Sequence, residues 1–269
     1  MKFVYNPKVL VTGASNGIGK ETALLFAKNG YKVWALSRHC DNSVQEFEGG
    51  GSITGIAADV TDPASLEKAL SVIDELGIVI HCAGMGVSGS AECTPIEAAR
   101  RQIETNYFGV LNVNAQVLPL LRKNPRSLVL ITTSFAGLVP IPFQSHYSSS
   151  KYALEAYGEA LRMEAKPYGV KVCLVEPGDT KTGFTAARTH NEPENSPYFD
   201  QCTKSVAKME HDEMHGKPPI SVAKVFLSQA KRKNPKVRVA VGFVYKLLAF
   251  LVRILPSRLR QTVLSMLYC

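Results

Sequence analysis

Three side chains near the middle of the chain have the types and spacing needed for proton transfer. Tyr147 and Lys151 lie four positions apart, which places them on one face of a helix, and Ser134 precedes Tyr147 by 13 residues. A phenol with a pKa near ~10 is a poor base at neutral pH, but a neighbouring ammonium favours the phenolate and lowers that pKa. Tyr147 is therefore predicted to exchange a proton with an alcohol or ketone whose oxygen is held by Ser134.

Seven short apolar runs, separated by helical stretches, are predicted to position these side chains. Near-continuous apolar character is typical of strands covered on both faces, and strand–helix alternation predicts an α/β fold with a doubly wound, parallel, seven-stranded sheet. Ser134 follows one of these strands, so it is expected in the crevice at the carboxyl ends of the strands. The runs cover residues 8–12, 32–36, 52–56, 78–81, 127–131, 171–175 and 236–241.

A glycine-rich segment directly follows the first predicted strand. Glycines let the backbone turn sharply and approach a pyrophosphate, whose charge is favoured at a helix N-terminus. A tight structural turn would also need glycine, but the strand before this segment and the amphipathic helix after it favour nucleotide binding. The residues predicted to bind the cofactor here are Thr12, Gly13, Ser15, Asn16, Gly17, Ile18 and Gly19.

The end of the second strand predicts which dinucleotide is bound. Ser37 stands where an NAD enzyme normally places a carboxylate for the ribose hydroxyl, and Arg38 follows it. A guanidinium binds phosphate in a bidentate manner, so the pair favours the 2′-phosphate of NADP (NADPH); the alternative is a solvated arginine. Asp59 and Val60, after the third strand, are predicted to contact the adenine, although Asp59 could equally cap a helix.

Together these motifs resemble the short-chain dehydrogenase/reductase family, in particular its hydroxysteroid and retinol dehydrogenase-like members, over about residues 8–182. The resemblance implies a Rossmann-like fold and a catalytic group of Ser134, Tyr147 and Lys151. It implies that Tyr147 and Lys151 also contact the cofactor. It adds Asn106 as the helix asparagine that anchors a water in the proton relay.

Two further segments are similar to family motifs. Residues 177–182 match P-G-x-x-x-T, whose backbone and threonine contact the nicotinamide carboxamide. The implied cofactor contacts are Pro177, Gly178, Thr180 and Thr182. After the fourth strand the family usually has Asn-Asn-Ala-Gly, whereas this chain has His81-Cys82-Ala83-Gly84. Ala83 and Gly84 retain the small side chains that admit the adenosine side, and Cys82 replaces the asparagine that ties neighbouring strands.

The substrate is predicted from the loops around this site, because the fold does not determine it. Residues 138–143 form an apolar run before the catalytic helix, and the polar segment 183–219 is predicted to be a lid or insertion. The residues predicted to contact substrate are Met85, Ser134, Val139, Phe143, Tyr147 and Phe184. They indicate a bulky hydrophobic alcohol or ketone, although the same side chains could equally pack the loop.

The positive charge is concentrated at one end of the chain. The net charge is +8, yet residues 1–200 carry 18 Lys+Arg against 20 Asp+Glu, and residues 201–269 carry 13 against 3. Residues 243–269 read as two basic amphipathic helices with no acidic side chain after Glu213. Such helices can lie at a membrane interface, cover the substrate mouth or pack in a homo-oligomer. Nucleic-acid binding is disfavoured because no recognition motif is present.

Length and composition bound the remaining alternatives. With 269 residues and 45% hydrophobic content, residues 1–269 are predicted to form one domain. The six cysteines show neither C-x-x-C pairs nor metal-ligand spacing, so we predict no metal site, no disulfide framework and a reducing, cytoplasmic location. No run reaches the ~18 uncharged apolar residues of a membrane span, and no signal peptide is expected. Membrane association would therefore be peripheral.

The combined pattern predicts an NADP(H)-dependent oxidoreductase that interconverts a secondary alcohol and a ketone on a hydrophobic small molecule. A hydroxysteroid is the first expectation for that substrate. A keto-lipid or 3-oxoacyl reductase is the alternative within enzymes. A nucleotide-binding sensor that has lost catalysis is the alternative from another class.

Overall fold

The computed structural model describes residues 2–40 and 43–268, and a mostly parallel sheet forms its centre. In chain order the strands are β1 (Lys8–Thr12), β2 (Lys32–Ser37), β3 (Val44–Phe47), β4 (Gly51–Ala57), β5 (Ile78–His81), β6 (Val87–Ser88), β7 (Ser127–Thr132), β8 (Val170–Glu176), β9 (Thr189–His190) and β10 (Arg238–Ala240). The sheet has the order β10-β8-β7-β5-β1-β2-β4-β3, and β6 pairs with β9 separately. The seven predicted parallel strands are confirmed.

The eighth strand of the sheet, β3, was not predicted from the sequence. It pairs antiparallel with β4 at the edge of the sheet, and Val44, Gln45 and Glu46 are exposed. Because three of its four side chains are exposed, this edge strand has no apolar run that would mark it.

Helices cover both faces of the sheet, as predicted. They are α1 (Gly17–Lys28), α2 (Pro63–Leu70), α3 (Ile96–Ile103), α4 (Gly109–Leu121), α5 (Ser145–Glu164), α6 (Phe199–Met214), α7 (Ile220–Ala230), α8 (Phe243–Ile254) and α9 (Ser257–Tyr268). Phe26 of α1 and Phe226 of α7 are fully buried in the core on one side. Leu66 of α2 and Val113 of α4 are fully buried in the core on the other.

A single π-helical turn (Glu104–Phe108) joins α3 to α4. The Gly109 amide donates to the Glu104 carbonyl, five residues earlier, so the turn holds one residue more than an α-helix would. Such insertions are often found at functional sites, and this one contains Asn106.

The segment predicted as a lid, residues 183–219, contains β9 and the 16-residue helix α6. Its weak periodicity concealed that helix, although Cys202, Val206 and Met209 are buried against the apolar run before α5. Beyond β10, α8 and α9 form the predicted helical extension. Among the described residues, no helix is both long and apolar enough to cross a membrane.

A buried polar network stands at the end of β5, where the sequence departs from the family pattern. His81 Nε2 lies 3.0 Å from the Asn114 Oδ1 atom, and Asn114 Nδ2 donates to the Tyr157 hydroxyl at 3.1 Å. His81 Nδ1 has no hydrogen-bond partner among the described residues. Burial lowers the pKa of His81 to about 4, while its bond to Asn114 acts in the opposite direction.

This histidine makes the fold sensitive to acid. Between pH 6.5 and pH 4 the unfolded chain binds a proton at His81 that the folded protein does not. The free energy of unfolding therefore decreases as pH falls through this range. We expect His81→Asn to reduce the loss of unfolding free energy between pH 7 and pH 5 by about 2 kcal/mol. Urea unfolding at the two pH values measures this, with the exposed His39→Asn as the control. An unchanged pH dependence in His81→Asn would contradict the assignment.

Candidate active site

A cleft of about 1040 Å³ runs along the carboxyl ends of the parallel strands. The structure brings most of the predicted site residues to this one cleft. Those lining it are Gly13, Ser15, Asn16, Gly17, Ile18, Gly19, Ser37, Arg38, Asp59, Val60, Ala83, Gly84, Met85, Ser134, Tyr147, Lys151, Pro177, Gly178, Thr180, Thr182 and Phe184. The predicted residues that do not line it are Thr12, Asn106, Val139 and Phe143.

The glycine turn between β1 and α1 is shaped by close backbone approaches. Gly13 has φ +66°, and a Cβ atom there would lie 2.6 Å from the Ala83 nitrogen. A Cβ on Gly19 would lie 2.2 Å from the Gly13 carbonyl oxygen. Asn16 caps α1 by accepting a hydrogen bond from the Gly17 amide at 2.6 Å. Only glycine allows this turn to close, which leaves the N-terminus of α1 facing the cleft.

One end of the cleft lies at the carboxyl ends of β2 and β4. Arg38 is exposed there beside the buried Ser37. Asp59 Oδ1 accepts hydrogen bonds from the Thr61 amide at 2.9 Å and hydroxyl at 2.8 Å. The cap of α2 is Asp62, whose side chain accepts from two amides of the first turn, so Asp59 is not a helix cap. Asp59 stays available at the wall of the cleft.

The proton-transfer group lies at the other end, where β7 gives way to α5. Ser134 follows β7 and lines the cleft together with Tyr147, and its side chain accepts a hydrogen bond from the Ala136 amide at 3.1 Å. One helical turn further along α5, Lys151 Nζ lies 5.6 Å from the centre of the Tyr147 ring. The same ammonium donates to the Thr132 carbonyl at 3.1 Å. The segment after β7 and the first two turns of α5 thus bring a hydroxyl, a phenol and an amine to one end of the cleft.

Burial sets the protonation of this group in the free protein. Burial raises the pKa of Tyr147 to about 12, although the Ser134 side chain acts to lower it. It also lowers the pKa of Lys151 to about 8. In the free protein, loss of water outweighs the opposing influences of Ser134 and Arg188 on the Tyr147 pKa. The lowered pKa expected from the sequence stays a prediction for the protein with oxidised cofactor bound. Tyr147 carries its proton at neutral pH and is ready to act as an acid.

Asn106 is not among the residues that line the cleft, and its expected role as the anchor of a water in the proton relay stays a prediction. It is completely buried in the π-helical turn, where Oδ1 accepts from the Met85 amide at 2.8 Å. Nδ2 donates to the Met85 carbonyl and to the Ser150 hydroxyl, both at 3.1 Å. The side chain therefore positions the loop after β5 against α5.

Thr12 also supports the cleft instead of lining it. Its hydroxyl oxygen accepts hydrogen bonds from the Cys82 and Ala83 amides at 3.2 and 3.3 Å, which fixes the β1 and β5 ends together. The Thr132 hydroxyl donates to Cys82 Sγ at 3.4 Å. The strand ends that the family ties with an asparagine are tied here through Thr12 and Cys82.

Two predicted substrate contacts, Val139 and Phe143, lie outside the cleft. Val139 is 1% exposed and packs with Val206 of α6, and Phe143 packs against the same cluster from a backbone with φ +58°. For Val139 and Phe143 the structure therefore agrees with the alternative that the apolar side chains of residues 138–143 pack the loop and do not contact substrate. Phe184 does line the cleft, with its ring 5.7 Å from that of Tyr147.

Several cleft residues were missed by the sequence reasoning because distant elements supply them. Asp179 and Glu213 contribute carboxylates, and Tyr245 and Tyr268 come from α8 and α9. The Tyr245 hydroxyl donates to the Asp179 carboxylate. Behind them, Arg188 is 1% exposed and pairs with Glu213 at 2.5 Å. The one available signal was that Glu213 is the last acidic residue before a long basic stretch.

The residues present fit a bound nicotinamide dinucleotide. The cleft runs without interruption from Arg38 past the glycine turn to Tyr147, and its volume exceeds that of most single small-molecule pockets. Gly17 and Thr182 approach each other over its middle, because a Cβ on Gly17 would lie 3.2 Å from Thr182 Cβ. Arg38 would hold the adenosine end, the α1 N-terminus the pyrophosphate, and Lys151 the nicotinamide end.

A dinucleotide cleft that ends at a serine–tyrosine–lysine group defines a nicotinamide-dependent oxidoreductase. Comparison with known proteins agrees, since the sequence pattern of the short chain dehydrogenase family matches residues 7–193. The chain belongs to this family.

One curated relative is the 3-ketodihydrosphingosine reductase of Bacteroides thetaiotaomicron, which is 37% identical over 97% of each chain. A short-chain dehydrogenase from Burkholderia cenocepacia in complex with NADP has a TM-score of 0.76 and 22% identity, with both chains fully covered. One from Burkholderia phymatum in complex with NAD has a TM-score of 0.77 and 20% identity, covering 94% of each chain. At these identities the two solved structures show the fold alone.

Proposed function

We propose that this protein uses NADPH to reduce the ketone of a long-chain amino lipid to a secondary alcohol. This choice takes the keto-lipid alternative in place of the hydroxysteroid. The observation that carries it is Glu213, a carboxylate that lines the cleft and acts electrostatically on Tyr147. It is supported by the relative named for 3-ketodihydrosphingosine, a long-chain ketone with an amino group on the neighbouring carbon.

The protonation of Tyr147 suits the reductive direction. With a pKa raised to about 12, the phenol holds its proton at neutral pH and can give it to the ketone oxygen. NADPH, when bound, supplies the hydride that completes the alcohol. Ser134, which lines the cleft with Tyr147, directs its hydroxyl at the same oxygen, and Lys151 places a positive charge near the phenolate that remains.

The carboxylates favour a substrate that carries an amine. Glu213 already pairs with Arg188, but Arg188 also pairs with Glu210 at 3.3 Å, so two carboxylates share one guanidinium. Asp179 adds a third carboxylate to the same side of the cleft. This excess of negative charge attracts an ammonium next to the ketone. The same negative charge would repel the phosphate-bearing carriers of 3-oxoacyl thioesters. It would add nothing to the binding of a neutral steroid.

A substrate panel tests the proposal. NADPH consumption is measured with 3-ketodihydrosphingosine, the same chain without its amino group, a ketosteroid and a 3-oxoacyl thioester. We expect the amino ketone to have the highest kcat/KM. Turnover restricted to the steroid or the thioester would refute the proposal, and no turnover of any of them would favour the catalytically silent sensor.

The role of Glu213 is tested separately with Glu213→Gln. We expect kcat/KM for the amino ketone to fall about tenfold or more, since a charge-assisted hydrogen bond contributes ~1.5–3 kcal/mol, and the value for the deaminated ketone to stay unchanged. Glu210→Gln is the matched control, because Glu210 pairs with the same arginine without lining the cleft. An equal loss on both ketones would mean that Glu213 has only a structural role.

A further inference from the structure

Helices α8 and α9 present large apolar side chains to solvent. The side chains forming this surface, the C-terminal apolar face, are Phe243, Val244, Leu247, Phe250, Ile254, Leu259, Val263, Met266 and Leu267. Phe243 is 80% exposed and Met266 is 81% exposed. Exposed apolar surfaces larger than those of an ordinary monomer mark interaction sites, and this many exposed apolar side chains on two consecutive helices point to one.

The exposure is not a consequence of loosely packed helices, because each helix has a second side that packs inward. On α8, Ala249 is buried, and Tyr245 and Val252 pack against the core. On α9, Leu264 and Tyr268 pack against the cluster below α6. The outward residues of α8 follow the spacing of positions 243, 247, 250 and 254, so they form a separate stripe on the opposite side.

Positive charge borders this face. Lys246, Arg253 and Arg258 are exposed on the same two helices, and no acidic residue follows Glu213 in the sequence. Lys246 also lines a groove of about 270 Å³ between α7 and α8. The other cations lining that groove are Lys224, Arg232 and Lys236, and none of its lining residues is acidic.

We propose that the C-terminal apolar face docks this protein on an anionic lipid bilayer. Apolar side chains such as Phe243 and Phe250 would enter the boundary of the acyl chains, and the groove cations would meet the lipid phosphates. Apolar area and positive charge side by side are the two contributions that interfacial binding combines. A second copy of the chain is a poorer occupant, because two faces bordered by cations alone would repel each other.

The two helices that carry the C-terminal apolar face also form part of the wall of the cleft. Tyr245 and Tyr268 lie on the inner sides of the same helices and line the cleft, and a Cβ on Gly178 would lie 2.0 Å from the Tyr245 ring. A long-chain substrate held in the bilayer would therefore meet the protein at the helices that wall its binding site. Docking is a claim separate from the proposed reaction, and it stands if the substrate is another lipid.

Vesicle sedimentation tests the docking of the full chain. We expect binding to vesicles of phosphatidylcholine and phosphatidylglycerol, weak binding to phosphatidylcholine alone, and release by salt. Replacing Phe243 and Phe250 by Ser should weaken the partition coefficient about tenfold or more. Reversing Lys224 and Arg232 to Glu should weaken it about thirtyfold or more.

Matched controls test whether loss of any exposed apolar side chain, or reversal of any surface cation, would weaken vesicle binding equally. Met163→Ser removes an apolar side chain that is 70% exposed elsewhere, and reversal of Lys123 and Lys166 to Glu reverses exposed cations that do not line the groove. Both should bind vesicles like the parent. The docking variants should retain turnover of a short, water-soluble ketone, which distinguishes lost docking from a failed reaction assignment.

Three results would overturn the proposal. The first is that the parent chain does not bind the anionic vesicles, and the second is that the Phe243/Phe250 variant binds them as strongly as the parent. The third is a stable homodimer in light scattering that the same variant dissociates and that does not bind vesicles. That result would assign the face to a second copy.

Discussion

Tyr147→Phe is expected to lower the rate of ketone reduction about a thousandfold, because the substitution removes the phenolic proton that would be given to the ketone oxygen in the cleft. The ring itself remains, with its contact to Phe184 at 5.7 Å. NADPH affinity should therefore change less than about threefold. Single-turnover NADPH oxidation measures the rate, and NADPH fluorescence measures the binding.

A matched control distinguishes loss of the proton from a general effect of the substitution. Tyr168→Phe removes a hydroxyl from a ring that is 58% exposed, far from the cleft, and should leave the rate unchanged. A Tyr147→Phe protein as active as the parent would show that another group supplies the proton. Loss of both rate and NADPH binding would instead place the main role of Tyr147 in holding the cofactor.

Arg38→Ala is expected to weaken the binding of NADPH about ten- to a hundredfold and to leave the binding of NADH almost unchanged. The range corresponds to the ~1.5–3 kcal/mol of a hydrogen bond to a charged group, and NADH lacks the 2′-phosphate that Arg38 would contact. Isothermal titration with each cofactor gives the two affinities in the absence of substrate, so NADH serves as the internal control.

Arg101, a second arginine that lines the cleft, supplies the competing explanation. If Arg101→Ala selectively weakens the binding of NADPH and Arg38→Ala does not, the 2′-phosphate is bound from the α3 side. If Arg38→Ala weakens both cofactors equally, the residue acts on a part of the dinucleotide that NADPH and NADH share. The first outcome would move the 2′-phosphate site from Arg38 to Arg101, and the second would remove the reason for preferring NADPH.

The parts of the site that could be read from the sequence are those fixed by local pattern. The parallel strands are covered on both faces, so each is a continuous apolar run in the sequence. The turn between β1 and α1 requires glycine at positions 13 and 19, because a Cβ at Gly13 or Gly19 would clash with the backbone. Tyr147 and Lys151 lie on one helix, so their spacing directly predicts that they are neighbours.

The rest depends on contacts between distant elements. Nothing in the run before α5 distinguishes a side chain that faces substrate from one that faces α6, so Val139 and Phe143 could not be assigned from sequence. Glu213 enters the cleft only because α6 folds across it, and the protonation of Tyr147 depends on how completely that packing excludes water. Sequence patterns contain neither the tertiary contact nor the depth of burial.

The π-helical turn around Asn106 makes chain length itself a determinant of this site. Each residue of an α-helix advances the direction of the side chains by about 100°, so deleting one residue from Glu104–Phe108 would rotate α3 relative to α4 by that angle. The hydrogen bonds of Asn106 to Met85 and Ser150 could not both survive such a rotation. No side-chain substitution reproduces that change, so the length of this turn is a requirement of the site that is separate from the residue type at position 106.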